Sequence, residues 1–95
     1  MSASKNSLDP VQILCLDGDG IGPEITAATR RVLRVVDDCF DLNLTFTTED
    51  IGFVSLAASG TTFPDKVLDA AKAADGIVMG PVSTIDYPPA SEGGI

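Results

Sequence analysis

Leu16-Asp17-Gly18-Asp19-Gly20-Ile21-Gly22-Pro23-Glu24-Ile25 decides the fold, because an apolar run empties here into a glycine-rich bend that opens directly into a helix. The run before it, Val11 to Leu16, is apolar at every position but Gln12 and predicts a strand covered on both faces. Gly18, Gly20 and Gly22 allow backbone conformations closed to other residues and leave room for close approach to the main chain. Pro23 suits the first helical position, which makes Gly22 the expected N-cap. Ligands of open α/β sheets bind at the carboxyl ends of the strands. The bend is therefore the first candidate site.

Outward from the bend, Ile25, Ala28, Val32, Leu33 and Val36 recur at helical spacing and predict a helix from 23 to about 38. Glu24 complements its macrodipole, whereas Asp37 and Asp38 oppose it, so packing of the apolar stripe is expected to hold it. Arg30, Arg31 and Arg34 read as a solvated face of that helix. Leu42, Leu44 and Phe46 alternate with Asn43, Thr45 and Thr47, the period of a strand. Phe53, Leu56 and Ala57 suggest a short helix closed by Gly60. Pro64 starts another, with Asp65 in its first turn and Val67, Leu68 and Ala71 as its buried stripe. Ile77-Val78-Met79 then forms a short buried strand leading into Gly80-Pro81.

This β-α-β-α-β order predicts an α/β fold, a partial doubly wound and mainly parallel sheet with right-handed crossovers. Residues 1–10 read as a flexible tail, 11–95 as domain, and 81–95 as a loop over the strand ends. Three strands and two main helices hardly cover both faces of a parallel sheet, so the 95 residues are expected to be the front part of a larger protein.

A net charge of −8 argues against nucleic acid and anionic membrane as partners. No apolar run has the length of a membrane span, and the start of the chain lacks a secretory signal, which predicts a cytoplasmic setting. Cys15 and Cys39 make no disulfide framework, and Cys15 reads as a small buried hydrophobe. The Asn43-Leu44-Thr45 sequon is read as a chance match.

Four chemistries compete for the first bend. A Rossmann fingerprint fails because Gly18-x-Gly20-x-Gly22 is one residue short, and because Glu49 and Asp50 fall beyond the expected end of the second strand. A P-loop lacks its Gly-Lys-Ser/Thr, and a calcium loop fails at Ile21 and Ala28. There remains a loop that presents its backbone and Ile21 to a nucleotide near a helix N-terminus. A purely geometric strand-to-helix connection accounts for the bend about equally well. Asp17 and Asp19 are read as solvated turn residues. The second candidate is Gly80-Pro81-Val82-Ser83-Thr84, whose hydroxyls can bond a carboxamide, ribose or carboxylate, or simply cap the loop. Two such bends at one sheet edge favour a site.

Together the two bends and the Ala-rich helix from Pro64 to Ala74-Asp75 resemble the family of isocitrate and 3-isopropylmalate dehydrogenases, over roughly residues 11–84. The resemblance implies an isopropylmalate dehydrogenase-like rather than Rossmann fold, NAD or NADP, and Mg²⁺ or Mn²⁺. It also implies oxidative decarboxylation of a 2-hydroxy diacid, usually by a homodimer. By the same resemblance Ile21 lies against the adenosine part of the cofactor, and Val82, Ser83 and Thr84 form the loop beside the nicotinamide. Asp19 belongs to the turn scaffold and takes no chemistry. The family's substrate-binding serine and arginines would begin past Ile95, and its catalytic lysine and tyrosine and metal-binding aspartates lie further on. No catalytic or metal-ligating residue is therefore assigned here, and the 95 residues alone are expected to be inactive.

The loop 85–92 fits neither the isocitrate nor the isopropylmalate pattern, which leaves isopropylmalate, isocitrate, tartrate and malate as candidate substrates. The related 4-hydroxythreonine-phosphate dehydrogenases share Gly-Ile-Gly-Pro-Glu but have a longer lead-in than Gly18-Asp19-Gly20. The alternative from another class is a non-catalytic nucleotide-binding or partner-binding α/β module.

Overall fold

The apolar first run becomes the middle strand of a three-stranded parallel sheet of order β2-β1-β3. The computed structural model describes residues 9–94, so nearly all of the expected N-terminal tail lies outside the described residues. In chain order the elements are β1 (Val11–Leu16), α1 (Gly22–Phe40), β2 (Leu44–Glu49), α2 (Phe53–Ser59), α3 (Asp65–Ala73) and β3 (Gly76–Met79). Two 3₁₀ turns, Thr84–Asp86 and Ala90–Glu92, shape the segment expected to be plain loop. Leu16, the last residue of β1, pairs with Glu49, the last of β2, and with Met79, the last of β3. All three strands therefore end level, and every bend that follows one leaves from a single rim.

Leu14 and Leu16 meet Ile51 and Val67 in the core, with Phe63, Ala70, Ala71, Ala74 and Val82 packed around them. Strand alternation sends Cys15, which is fully buried as expected, to the opposite face. The first strand is thus covered on both sides where it approaches the rim.

The first helix differs from its sequence reading. Its buried residues are Gly22 and Thr26, with Arg30, Leu33 and Asp37 half-buried along the same side. Ile25 and Val32 instead stand exposed with Val35. The stripe is therefore split: Ile25, Ala28 and Val32 face outward, while Leu33 and Val36 are half-buried beside Gly22, Thr26 and Arg30 on the inward side. Its C-terminus is closed by Asp41 in the left-handed conformation, whose N–H donates to Asp37 O at 2.7 Å. One Asp37 carboxylate oxygen accepts the Leu44 N–H at 3.3 Å, so a charge unfavourable to the helix dipole serves the next strand instead. The arginines are not simply solvated: Arg30 lies 3.8 Å from Asp17, and the Arg34 guanidinium stacks over Phe46 at 5.0 Å.

Smaller corrections follow the same logic. Ile21, not Gly22, is the N-cap of α1. In α3 Val67 is buried but Leu68 is exposed, because α3 rests on the sheet by a narrow edge rich in alanine. In β3, Ile77 and Met79 are half exposed, because the strand lies at the sheet edge. A hollow of about 320 Å³ lined by Gln12, Thr47, Ala70, Ala73 and Ala74 leaves more apolar surface beside α3.

Candidate functional site

The two bends touch. The Asp19 N–H donates to Pro81 O at 2.8 Å, and the Gly80 N–H donates to Leu16 O at 2.8 Å. Gly18, at φ 80°, is the residue that permits this approach, since a Cβ there would run into the Pro81 carbonyl. The contact lies between the ends of β1 and β3. From β1 the chain crosses one way to β2, and it returns past β1 to β3, so this is the point where an open α/β sheet forms its ligand crevice.

Asp19, read from sequence as a solvated turn residue, is only 6% exposed. Its two carboxylate oxygens gather three segments. One accepts the Phe53 N–H at 2.7 Å, at the start of α2. The other accepts the Ser83 N–H at 2.9 Å and the Tyr87 hydroxyl. Gly52 makes the first of these bonds sterically feasible: at φ 77° it brings its backbone against the carboxylate, where any Cβ would collide. Phe53 and Tyr87 then pack edge to face, with ring centroids 5.0 Å apart. Burial alone would raise the Asp19 carboxyl, but the bonds from Ser83, Tyr87 and Phe53 outweigh it and hold it below its ordinary range. Burial, the bond to Asp19 and the Asp19 charge push the Tyr87 hydroxyl up to about 12. The pair is therefore a carboxylate and a neutral phenol across the neutral range.

The four residues expected at the cofactor occupy this rim. Ile21 is 58% exposed and sits outside the core, on the first turn of α1. Thr84 is exposed, while Val82 and Ser83 are half-buried. The Ser83 and Thr84 hydroxyls make no hydrogen bond among the described residues and are free to accept or donate.

The start of α1 does not form a phosphate cradle. Gly22 N donates to Asp19 O at 2.8 Å, and Glu24 N and Ile25 N both donate to Ile21 O at 3.1 Å. Pro23 has no N–H, and Glu24 adds negative charge. What the bend exposes is the apolar Ile21 side chain, rather than the open helix terminus that binds pyrophosphate in Rossmann proteins. Glu49, placed beyond the second strand by the sequence reading, is in fact its last residue, 3.7 Å from Lys66. The strand runs on because Thr47, Thr48 and Glu49 continue pairing with β1.

Among the described residues, no three His, Cys, Asp or Glu side chains gather where they could hold a metal ion. Nor is any described helix long and apolar enough to cross a membrane.

The family model for isocitrate/isopropylmalate dehydrogenase matches residues 12–94. The chain belongs to this family. It is 49% identical over 71 residues to a 3-isopropylmalate dehydrogenase of Hahella chejuensis, covering 75% of this chain and 20% of that protein. It is 40% identical over 73 residues to the Synechococcus enzyme of the same name, covering 77% of this chain and 20% of that one. Among solved structures, isocitrate dehydrogenase from Methylococcus capsulatus superposes with a TM-score of 0.69 at 28% identity, over 83% of this chain and 21% of the other. A β-decarboxylating dehydrogenase from Thermococcus kodakarensis shares the fold, with a TM-score of 0.70 over 83% of this chain and 23% of the other. The chain thus spans about a fifth of the length of the relatives it matches.

The resemblance places Asp19 in the turn scaffold, and its bonds agree, but the partners that make it central were not legible in the sequence. Its partners lie 34, 64 and 68 residues away, and no local pattern announces such contacts. The only available signal was a carboxylate between two glycines at a strand end, which is common to many solvated turns.

Proposed function

We propose that this chain is the N-terminal part of a nicotinamide-dependent dehydrogenase that oxidatively decarboxylates a 2-hydroxy diacid. The observation that carries the proposal is the direct contact of the two bends, Asp19 N–H to Pro81 O, on the rim where β1 and β3 end together. In this reading Ile21 packs against the adenosine part of NAD or NADP, as its exposure and the closed start of α1 favour. Val82, Ser83 and Thr84 line the nicotinamide side, where the free hydroxyls can orient a carboxamide or ribose. When bound, the nicotinamide ring supplies the hydride acceptor. The chain's own residues bind and orient it.

The divalent ion implied by the resemblance, Mg²⁺ or Mn²⁺, does not fit a donor set among the described residues. The substrate is one of isopropylmalate, isocitrate, tartrate or malate, in a cytoplasmic and homodimeric enzyme. The net charge of −8 disfavours nucleic acid and anionic membrane as partners. A screen of the full-length protein against these four diacids, with Mn²⁺ and each nicotinamide cofactor, tests the reading. Cofactor reduction with one diacid is expected. Absence of turnover with binding of NAD or NADP retained would favour the non-catalytic nucleotide-binding module, and absence of both turnover and binding would contradict both readings and leave a partner-binding protein.

A further inference from the structure

Asp19 lies beneath the rim, not on it. Its carboxylate is reached by two backbone amides and one phenol, all of them donors, and an ionised carboxylate is the side chain that accepts from all three. One oxygen is tied to the start of α2, while the other fixes the loop that bears Val82, Ser83 and Thr84 at its amide and again at Tyr87. The Asp19 backbone N–H meanwhile holds Pro81 O. The same residue thus bonds the second bend at Pro81, Ser83 and Tyr87. Two positions beyond it in sequence stands Ile21, exposed on the first bend.

We infer that Asp19 is a positioning residue for the nicotinamide cofactor. Through the Ser83 amide and the Tyr87 hydroxyl it holds loop 82–84 at a fixed distance from Ile21, so that both ends of one dinucleotide are engaged together. This rests on the dehydrogenase reading above. Loss of the carboxylate lets the loop move relative to Ile21, so binding energy is lost chiefly for the cofactor and less for the diacid. Charge-assisted bonds of this kind are strong enough for a loss on the order of tenfold or more. Removal of the Tyr87 hydroxyl leaves two of the three bonds and the ring contact with Phe53, so its effect is smaller.

The test is steady-state kinetics of the full-length enzyme with Asp19→Ala, Asp19→Asn and Tyr87→Phe, alongside melting temperatures. Expected for Asp19→Ala is a rise of about tenfold in cofactor KM, with diacid KM and kcat at saturating cofactor changed about threefold or less. Asp19→Asn, which keeps one acceptor oxygen, should recover part of that loss, and Tyr87→Phe should raise cofactor KM about threefold. Equal losses in both KM values and kcat, tracking the melting temperature, would overturn the inference in favour of a purely structural role. So would cofactor KM values within about twofold of the parent in an active enzyme. If Asp19→Ala does not fold, Tyr87→Phe decides by the same criterion. A parent protein that binds neither cofactor overturns the dehydrogenase reading itself, and this inference with it.

Discussion

The Ser83 amide donates to the Asp19 carboxylate at 2.9 Å across 64 residues of sequence. This bond, with those from Asp19 N to Pro81 O and Gly80 N to Leu16 O, makes one rim of the two bends that follow β1 and β3.

Gly52 gives the rim its tolerance limit. Gly52→Ala must both adopt a backbone conformation nearly closed to alanine and displace the Asp19 carboxylate. Gly60→Ala meets a milder backbone cost and no clash, because Gly60 lies in the left-handed helical region at φ 80° and ψ 6° and nothing lies within reach of a Cβ. The left-handed strain at Gly60 is about 1 kcal/mol, and Gly52→Ala should exceed it by about 2 kcal/mol or more. Denaturant midpoints of the two variants check the difference.

Acid and alkali should both weaken the same hub, each through a different partner. Asp19 is held below its unfolded value, so its contribution is full above about pH 4 and is lost as pH falls through the folded value. Tyr87 is raised to about 12, so its contribution is full below its unfolded value and disappears as pH rises through about 12. The melting-temperature gap between the parent chain and Asp19→Ala should therefore be flat in the neutral range and should narrow below about pH 4. Tyr87 is the sole tyrosine of the 95 residues, so its phenolate absorbance reads this pair alone. Its midpoint should fall toward the ordinary tyrosine value in Asp19→Asn.

The elements and their order were legible because each rests on local chemistry. Gly60 does close α2 in the left-handed conformation, and Pro64 does precede α3. The face of α1 was not legible. Ile25 and Val32 have the spacing of a buried stripe, yet the sheet takes Gly22 and Thr26. Close packing beneath the touching bends favours small residues: Thr26 Oγ1 would be among the nearest atoms to a Cβ placed on Gly80. Periodicity reports that a helix has an apolar side, not which neighbour that side meets. That Ile21, Val82, Ser83 and Thr84 share one rim follows from their places after β1 and β3, whereas Asp19 and Tyr87 act through contacts that sequence distance conceals.

Val67 and its neighbour Leu68 separate core from surface on α3. Val67 is fully buried against Leu14 and Leu16, and Leu68 is 43% exposed. Val67→Ala should cost about 2 kcal/mol, and Leu68→Ala less than about 1 kcal/mol, in spite of the larger deletion. Equilibrium unfolding resolves the two.

The outward stripe of α1, Ile25, Val32 and Val35, together with Ile77 and Met79 on β3, is an extensive apolar exposure for a chain of 95 residues. The chain by itself should self-associate, and Val32→Lys combined with Val35→Glu should reduce that association without lowering secondary structure. Sedimentation velocity with circular dichroism checks both expectations. A monodisperse parent chain would contradict this expectation.

Direct titration of the full-length protein with reduced nicotinamide cofactor puts the shared rim to its hardest trial, comparing the parent, Ile21→Asp and Val35→Asp. Both substituted residues are exposed on α1, and Val35 lies fourteen positions further along the helix, about 21 Å away. Ile21→Asp is expected to weaken cofactor binding by about tenfold or more, whereas Val35→Asp should leave the affinity of the folded protein unchanged. Equal affinity in all three proteins would contradict the shared rim as the cofactor site.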